Sequence, residues 1–315
     1  MTAFVLRRLA GLVPLLLVLS VAVFLLVYLV PGDPAVTIAG GEAATPERVR
    51  EVREELGLDQ PFVVQYVDWL GDAVRLDFGH SLYSGRAVGD ELRHRLPITA
   101  SLVLGALVFA LAVGIPLGAL GGTRPGSRTD TAVTTLASAA IAMPSFWLAM
   151  ILIVFFGLEL SWFPVRGYVP FGESPVEWLR HLVLPSVALG TLMAATLARQ
   201  LRGALADVLD ADYVRTAHAK GLAPFRVVGK HALKNAAMPA VTVLGLQVGY
   251  LFGGTVIVEQ IFAIQGVGTY MVTAISGQDV PIIQGGIMML AVFVVLANLA
   301  VDIAYGFLNP KVRVA

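Results

Sequence analysis

Proton or metal chemistry has few residues to draw on in this chain. Its five histidines are His80, His94, His181, His218 and His231. All fall outside the long apolar stretches or at their edges, so they are read as surface residues rather than as a zinc site or proton relay. The chain has no cysteine, which removes disulfides, thiolate metal sites and cysteine nucleophiles together. Gly229-Lys230 is the one place where lysine follows glycine. It lacks the earlier glycine and the following Ser or Thr of a phosphate-cradling loop, so this chain is not expected to hydrolyse ATP or to be an enzyme. Within the apolar stretches the polar exceptions are Gln247, Glu259, Gln284, Asn298 and Asp302. An ionisable group inside a membrane is by default a functional candidate. Glu259 and Asp302, however, fall near the ends of their stretches and are read as interfacial or interhelical pairs. A carrier driven by protons or sodium would need carboxylates closer to mid-membrane.

What remains is polar and structural. Residues 210–239, DADYVRTAHAKGLAPFRVVGKHALKNAAMP, form a basic insert between two apolar stretches. Asp210 and Asp212 can charge the start of a short helix, and Lys220 followed by Gly221 fits its end. Two helical turns from Tyr213 to Lys220 would expose Tyr213, Thr216, Ala217 and Lys220 along one side. Pro224 then opens a second helix, with Arg226, Lys230 and Lys234 four residues apart on one face. The basic stripe suits anionic lipid headgroups. The compact turn ending at Gly221, built from small residues, is better shaped for a groove on a soluble protein.

Elements long enough to hold this insert at a membrane surface are plentiful. Of the 315 residues 57% are hydrophobic and only 14% charged, with a mean hydropathy of +0.79. Soluble domains carry about 25% charged residues, so the composition is that of a membrane protein. Net charge is zero without a single-sign tail, and no nucleic-acid partner is expected. Six segments approach or exceed the roughly 20 apolar residues that cross a bilayer: 9–30, 98–120, 131–158, 182–198, 236–258 and 282–307. The fourth is the shortest and contains Pro185. The first follows Arg7 and Arg8 as a signal peptide would, but it is long and ends in PGDP without a small-residue cleavage site, so it is read as a retained span. With both termini inside, thirteen of the 22 basic residues face the cytoplasm, and the outer loops 159–181 and 259–281 hold only Arg166 and Arg180.

The expected organisation is a first span at 1–30, an extracytoplasmic helical segment at 31–97 and a five-span core at 98–315. Thr45-Pro46 reads as a helix start, Val49, Val52 and Leu56 as its apolar stripe, and Gly57 as its stop. A second short helix runs from Pro61 to about Asp72, with Phe62, Tyr66, Trp69 and Leu70 packing downwards. The twelve acidic and seven basic residues of 31–97 are read as a solvated face, with a cation site as the alternative. Small residues at Gly114 and Gly118, Ala106 and Ala110, Ser138 and Ala142, Gly253-Gly254 and Gly285-Gly286 predict close helix packing. Kinks are expected at Pro14, Pro116, Pro144, Pro185 and Pro239.

YVRTAHAKGL at 213–222, with KHALKNAAMP at 230–239, resembles the permease subunits of bacterial ABC importers, in their dipeptide, oligopeptide and nickel branch. The general Glu-Ala-Ala, three residues, Gly pattern is met strictly only at Ala217 and Gly221. FVLRRLAGLVPLLLVLS near the start, PGDP at 31–34, ELGLDQPFVVQY at 55–66, DFGHSL at 77–82 and AMPSFW at 142–147 resemble the same branch, and the long outer segment is similar to its B-type member. The resemblance implies an all-α integral membrane protein of the type I importer kind, with six transmembrane helices and a small helical extracytoplasmic segment. It implies a place in the bacterial inner membrane and peptide as the substrate in transit, with nickel or glutathione as the alternative. A non-ABC channel or ion-coupled carrier is the alternative of a different class. The implied partners are a C-type second permease, two cytoplasmic ATP-binding subunits and an extracytoplasmic substrate-binding protein. No cofactor is implied. Within the cytoplasmic segment 204–236, Tyr213, Arg215, Thr216, Ala217, Ala219, Lys220 and Gly221 would form the helix that couples to an ATPase.

Overall fold

The computed structural model describes residues 2–29, 34–39, 44–55 and 57–308. Among them the regular secondary structure is helical, apart from one isolated bridge between His80 and Ala87. Five helices are long and apolar enough to cross a membrane: α1 (Thr2–Leu29), α5 (Val88–Gly122), α8 (Pro175–Leu209), α11 (Leu233–Ile261) and α13 (Val280–Leu308). A sixth crossing requires a bent pair, α6 (Arg128–Ala142) and Ser145–Glu159, the latter being α7 (Ser145–Leu152) continued by a π-helical turn, Ile153–Glu159. The pair bends by 102°.

The kink expected at Pro144 is present, and its size corrects the single span expected over 131–158 to two helices. Pro144 cannot donate a backbone N–H, and it pushes Met143 out of the helical region to φ −88°, ψ 119°. Pro14, Pro116, Pro185 and Pro239 all lie inside continuous helices. The expectation of a short fourth span is also corrected. α8 is 35 residues long, Pro185 is buried within it, and 67% of its most apolar stretch is covered by protein. Counting apolar residues missed this because charged residues at both ends of α8 continue the helix beyond its apolar centre.

The chain divides into two compact units, residues 1–5, 97–269 and 294–315 in one and residues 6–96 and 270–293 in the other. In the first, three glycines let α5 approach the backbone of α8 closely. A β-carbon at Gly114 would lie 2.7 Å from the Ala194 carbonyl oxygen, one at Gly118 2.8 Å from that of Ala198, and one at Gly122 2.8 Å from that of Arg202. The three glycines are four residues apart, so they form one ridge-free stripe. Ala106 and Ala110 are fully buried, whereas Ser138 and Ala142 are exposed on this chain; Val133 and Ala137 are the buried face of α6. At the start of α6, Asp130 accepts two hydrogen bonds from the Arg202 guanidinium of α8, at 2.7 and 2.5 Å, and one from Gly126 N–H.

Glu259 is fully buried near the end of α11. Thr99 Oγ1 of α5 donates to its Oε1 at 2.6 Å, and Thr269 N–H of α12 (Val267–Gly277) donates to Oε2 at 2.8 Å. Thr99 Oγ1 also accepts from Val267 N–H at 2.9 Å. The carboxylate is thus an interhelical tie joining three elements. Thr99→Val keeps the shape but leaves a buried carboxylate oxygen and a buried N–H each short of a partner. We expect it to destabilise the fold by about 1–3 kcal/mol, seen as a drop of several degrees in the thermal midpoint of the full chain in detergent.

The second unit holds α2 (Pro34–Ala39), α3 (Pro46–Glu55) and α4 (Phe62–Val74). Thr45 Oγ1 accepts from Arg48 N–H at the start of α3, and Gly57 turns the chain at φ +64°. Of the apolar stripe expected on α3, Val49 is half-buried, while the Val52 side chain and Leu56 lie outside the described residues, as do residues 31–33 of the PGDP motif. From α4, Phe62, Tyr66 and Trp69 gather around Phe24 of α1, with ring centroids 5.3, 5.6 and 5.6 Å away. Tyr66 and Ser20 hydroxyls pair at 2.8 Å.

Candidate functional site

The basic insert folds as a turn of chain built around its own small core. α8 ends at Leu209, and α9 (Asp212–Ala219) follows after Asp210 and Ala211. Asp212 stands in the first turn of α9, where a carboxylate complements the free N–H groups of the helix start. Arg215 reaches back to Asp212 at 3.6 Å, but both side chains are largely exposed, so the pair contributes little. Thr216 Oγ1 donates to the Asp212 carbonyl at 2.9 Å.

Gly221 ends the helix, at φ +79°, a conformation open to glycine and strained for other residues. Leu222 N–H then bonds back to the Ala217 carbonyl at 3.3 Å, while the side chains of Leu222 and Ala217 join the same apolar cluster. A six-to-one hydrogen bond over a left-handed glycine, with an apolar contact between the same two positions, is a Schellman stop. The chain re-enters helix through Pro224 as α10 (Pro224–Arg226), then a π-helical turn, Val227–Ala232, which leads directly into α11.

These elements enclose Val214, Ala217 and Val227, at 1%, 8% and 0% exposure, with Leu209 and Leu222 packed alongside. Ala217 was expected on the outward side of α9 and is instead its inward anchor. Val214 and Ala217 are three residues apart and share one face, and that face packs with Val227, Leu209 and Leu222. Tyr213, Arg215, Thr216, Ala219 and Lys220 are exposed, as is Gly221. Five side chains of the expected group therefore lie on the outside of a helix whose position a sixth fixes. Of the basic stripe, Arg226 and Lys234 are exposed; the side chains of Lys230, His218 and His231 lie outside the described residues, as do Lys311 and Arg313.

One tie from α9 into a spanning helix was missed by sequence reasoning. Asn235 Nδ2, in the first turn of α11, donates to the Tyr213 hydroxyl at 2.9 Å across 22 residues of chain. Asn235 stands in the KHALKNA stretch, but nothing in its local pattern marks Tyr213 as its partner. Among the described residues no group of His, Asp or Glu is placed to hold a metal. What the arrangement offers is an exposed two-turn helix, rigidly stopped, seated on an apolar core and continuous with α8 on one side and α11 on the other.

Residues 114–314 match the family described as binding-protein-dependent transport system inner membrane component, and residues 1–103 match the N-terminal family of the same membrane components. A putative peptide transport system permease protein of Brucella abortus (strain 2308) is 42% identical over 313 residues, covering 99% of both chains. The di/tripeptide transport system permease protein DppB of Pseudomonas aeruginosa (strain UCBPP-PA14) is 39% identical, again over 99% of both. The dipeptide transport system permease protein DppB of Escherichia coli (strain K12) is 37% identical with the same coverage. Among solved structures, an inward-facing MetNI methionine ABC transporter matches with a TM-score of 0.56 at 18% identity, over 70% of this chain and 96% of that one, a likeness of fold.

Proposed function

The chain belongs to the family of binding-protein-dependent transport system inner membrane components, and from that premise we propose that it forms half of the translocation pathway of an ATP-driven importer of di- or oligopeptides. The full-length likeness to permeases named for peptide and dipeptide transport supports the substrate class. ATP would be hydrolysed by two cytoplasmic partner subunits, peptide delivered by an extracytoplasmic binding protein, and the pathway completed by a C-type companion. The exposed pair Ser138 and Ala142 on α6 suits close contact with that companion. Both termini and the segment 204–236 would face the cytoplasm, with 31–97 outside, as the distribution of basic residues supports.

The seat of α9 carries this reading. A helix that must relay motion needs an outer face for the motor and an inner face that cannot slip. Tyr213, Arg215, Thr216, Ala219 and Lys220 supply the outer face, and Ala217 with Val214 the inner one. Closure of the ATPase pair would push α9. The packed core and the Tyr213–Asn235 bond would pass the displacement to α11, because close-packed contacts shift as units rather than deform.

The test exploits the absence of cysteine. In the assembled complex, Lys220→Cys is the sole thiol of this chain. It is expected to cross-link to a cysteine placed on the ATP-binding subunit, with an efficiency that changes between nucleotide-free and ATP-bound states. Cross-linking to lipid-borne reagents alone, in either state, would remove α9 from the coupling role.

A further inference from the structure

The second unit contains a cavity of about 500 Å³ that the coupling segment does not use. Its size is that of a small-ligand pocket. Phe24, Tyr28 and Trp69 contribute aromatic surface, and Asp68, Asp72 and Asp77 contribute carboxylates. Arg75 is 3.8 Å from Asp72, but both side chains are mostly exposed, so this pair does not satisfy the cavity's charge. Ser81 lines the cavity and donates to Asp279 Oδ2 at 2.6 Å; Asp279 is only 2% exposed and does not itself line the cavity.

Aromatic faces and carboxylates together select one chemistry. Rings present negative quadrupole faces that attract an ammonium or guanidinium, and carboxylates bond such groups directly. An anion would be repelled by the three carboxylates, and a purely apolar guest would leave them unused. We infer that this cavity is a subsite for the positively charged end of a short peptide, its α-ammonium or a Lys or Arg side chain, on the extracytoplasmic face of the permease. The inference rests on the proposed transport of peptides and on the outer placement of 31–97. The site would concentrate cationic peptides at the entrance, adding to whatever selection the binding protein makes.

The experiment uses the assembled complex in phosphatidylcholine nanodiscs, without the binding protein, and benzophenone-labelled tri-lysine as the probe. Photolabelling is expected to map to the peptides containing Trp69 and Ser81. Asp68→Asn with Asp72→Asn should reduce it by at least about tenfold, the loss of one charge-assisted contact. A benzophenone-labelled tri-alanine probe with its N-terminus acetylated, which carries no ammonium group, should label this region weakly. Equal labelling by both probes, labelling elsewhere, or labelling unaffected by the double substitution would overturn the site. If ATP-driven uptake of peptides into proteoliposomes supplied with the binding protein persists in that case, the transport reading stands and the subsite alone has failed; a wild-type complex that takes up no peptide in those proteoliposomes defeats the transport reading instead.

Discussion

Ala217→Trp is expected to leave the chain inserted at its normal level while ATP-driven uptake falls by more than about tenfold, because the added indole has no room beside Val214 and Val227. Overpacking of this kind costs about 1–3 kcal/mol, and a two-turn helix seated on so small an apolar cluster has little reserve against it. The seat would open and α9 would move without moving α11. ATP hydrolysis should continue, now uncoupled from transport. Limited trypsin digestion gives an independent readout, since Arg215 and Lys220 become more readily cleaved once α9 leaves its core. Ala219→Trp is the informative partner. Ala219 is exposed, so its substitution should block docking of the ATPase without raising trypsin sensitivity. Gly221→Pro acts by the first route, since proline holds φ near −65° where the chain needs +79°. Wild-type uptake by Ala217→Trp at normal expression would show that α9 carries no force.

The second large effect lies in the membrane core. Gly118→Leu places a side chain where even a β-carbon would sit 2.8 Å from the Ala198 carbonyl oxygen and 2.9 Å from Leu201 Cβ. Backbone cannot yield as a flexible side chain can, so α5 and α8 must separate along their length. Lipid offers no hydrophobic drive to hold them together once close packing is lost. The expected result is loss of monodisperse protein after detergent extraction, followed by size-exclusion chromatography. Gly253→Leu is the control, because nothing lies within 4 Å of a β-carbon there, and it should elute as wild type. A well-behaved Gly118→Leu protein would mean that the glycine stripe is not the contact.

How much of this was legible beforehand depended on the range of the interaction responsible. Apolar length is a local property, so α1, α5, α11 and α13 could be placed by counting, and the capping signals at Thr45-Pro46, Gly57 and Lys220-Gly221 are equally local. Facing is not local. In a soluble helix the polar side marks the outside, but in lipid both sides are apolar. The sequence therefore offered no sign that Gly122 extends the Gly114 and Gly118 stripe, or that Ser138 and Ala142 face away from the chain's own bundle. The insert had polarity to read, yet the side on which Ala217 lies was set by Val227, ten residues on in a separate element.

Composition and order of residues by themselves determined that this chain is a helical membrane protein, where its basic insert lies and how that insert stops at Gly221, since each follows from neighbours within a few turns. Tertiary structure alone decided that the kink expected at Pro144 reaches 102°, that Ala217 anchors rather than contacts, that Glu259 ties α5 to α11 and α12, and that aromatic rings from α1 and α4 share a cavity with three aspartates. The Glu259 tie and the cavity depend on groups tens or hundreds of residues apart meeting within a few ångströms, and no periodicity along the chain encodes which distant partner fills the space.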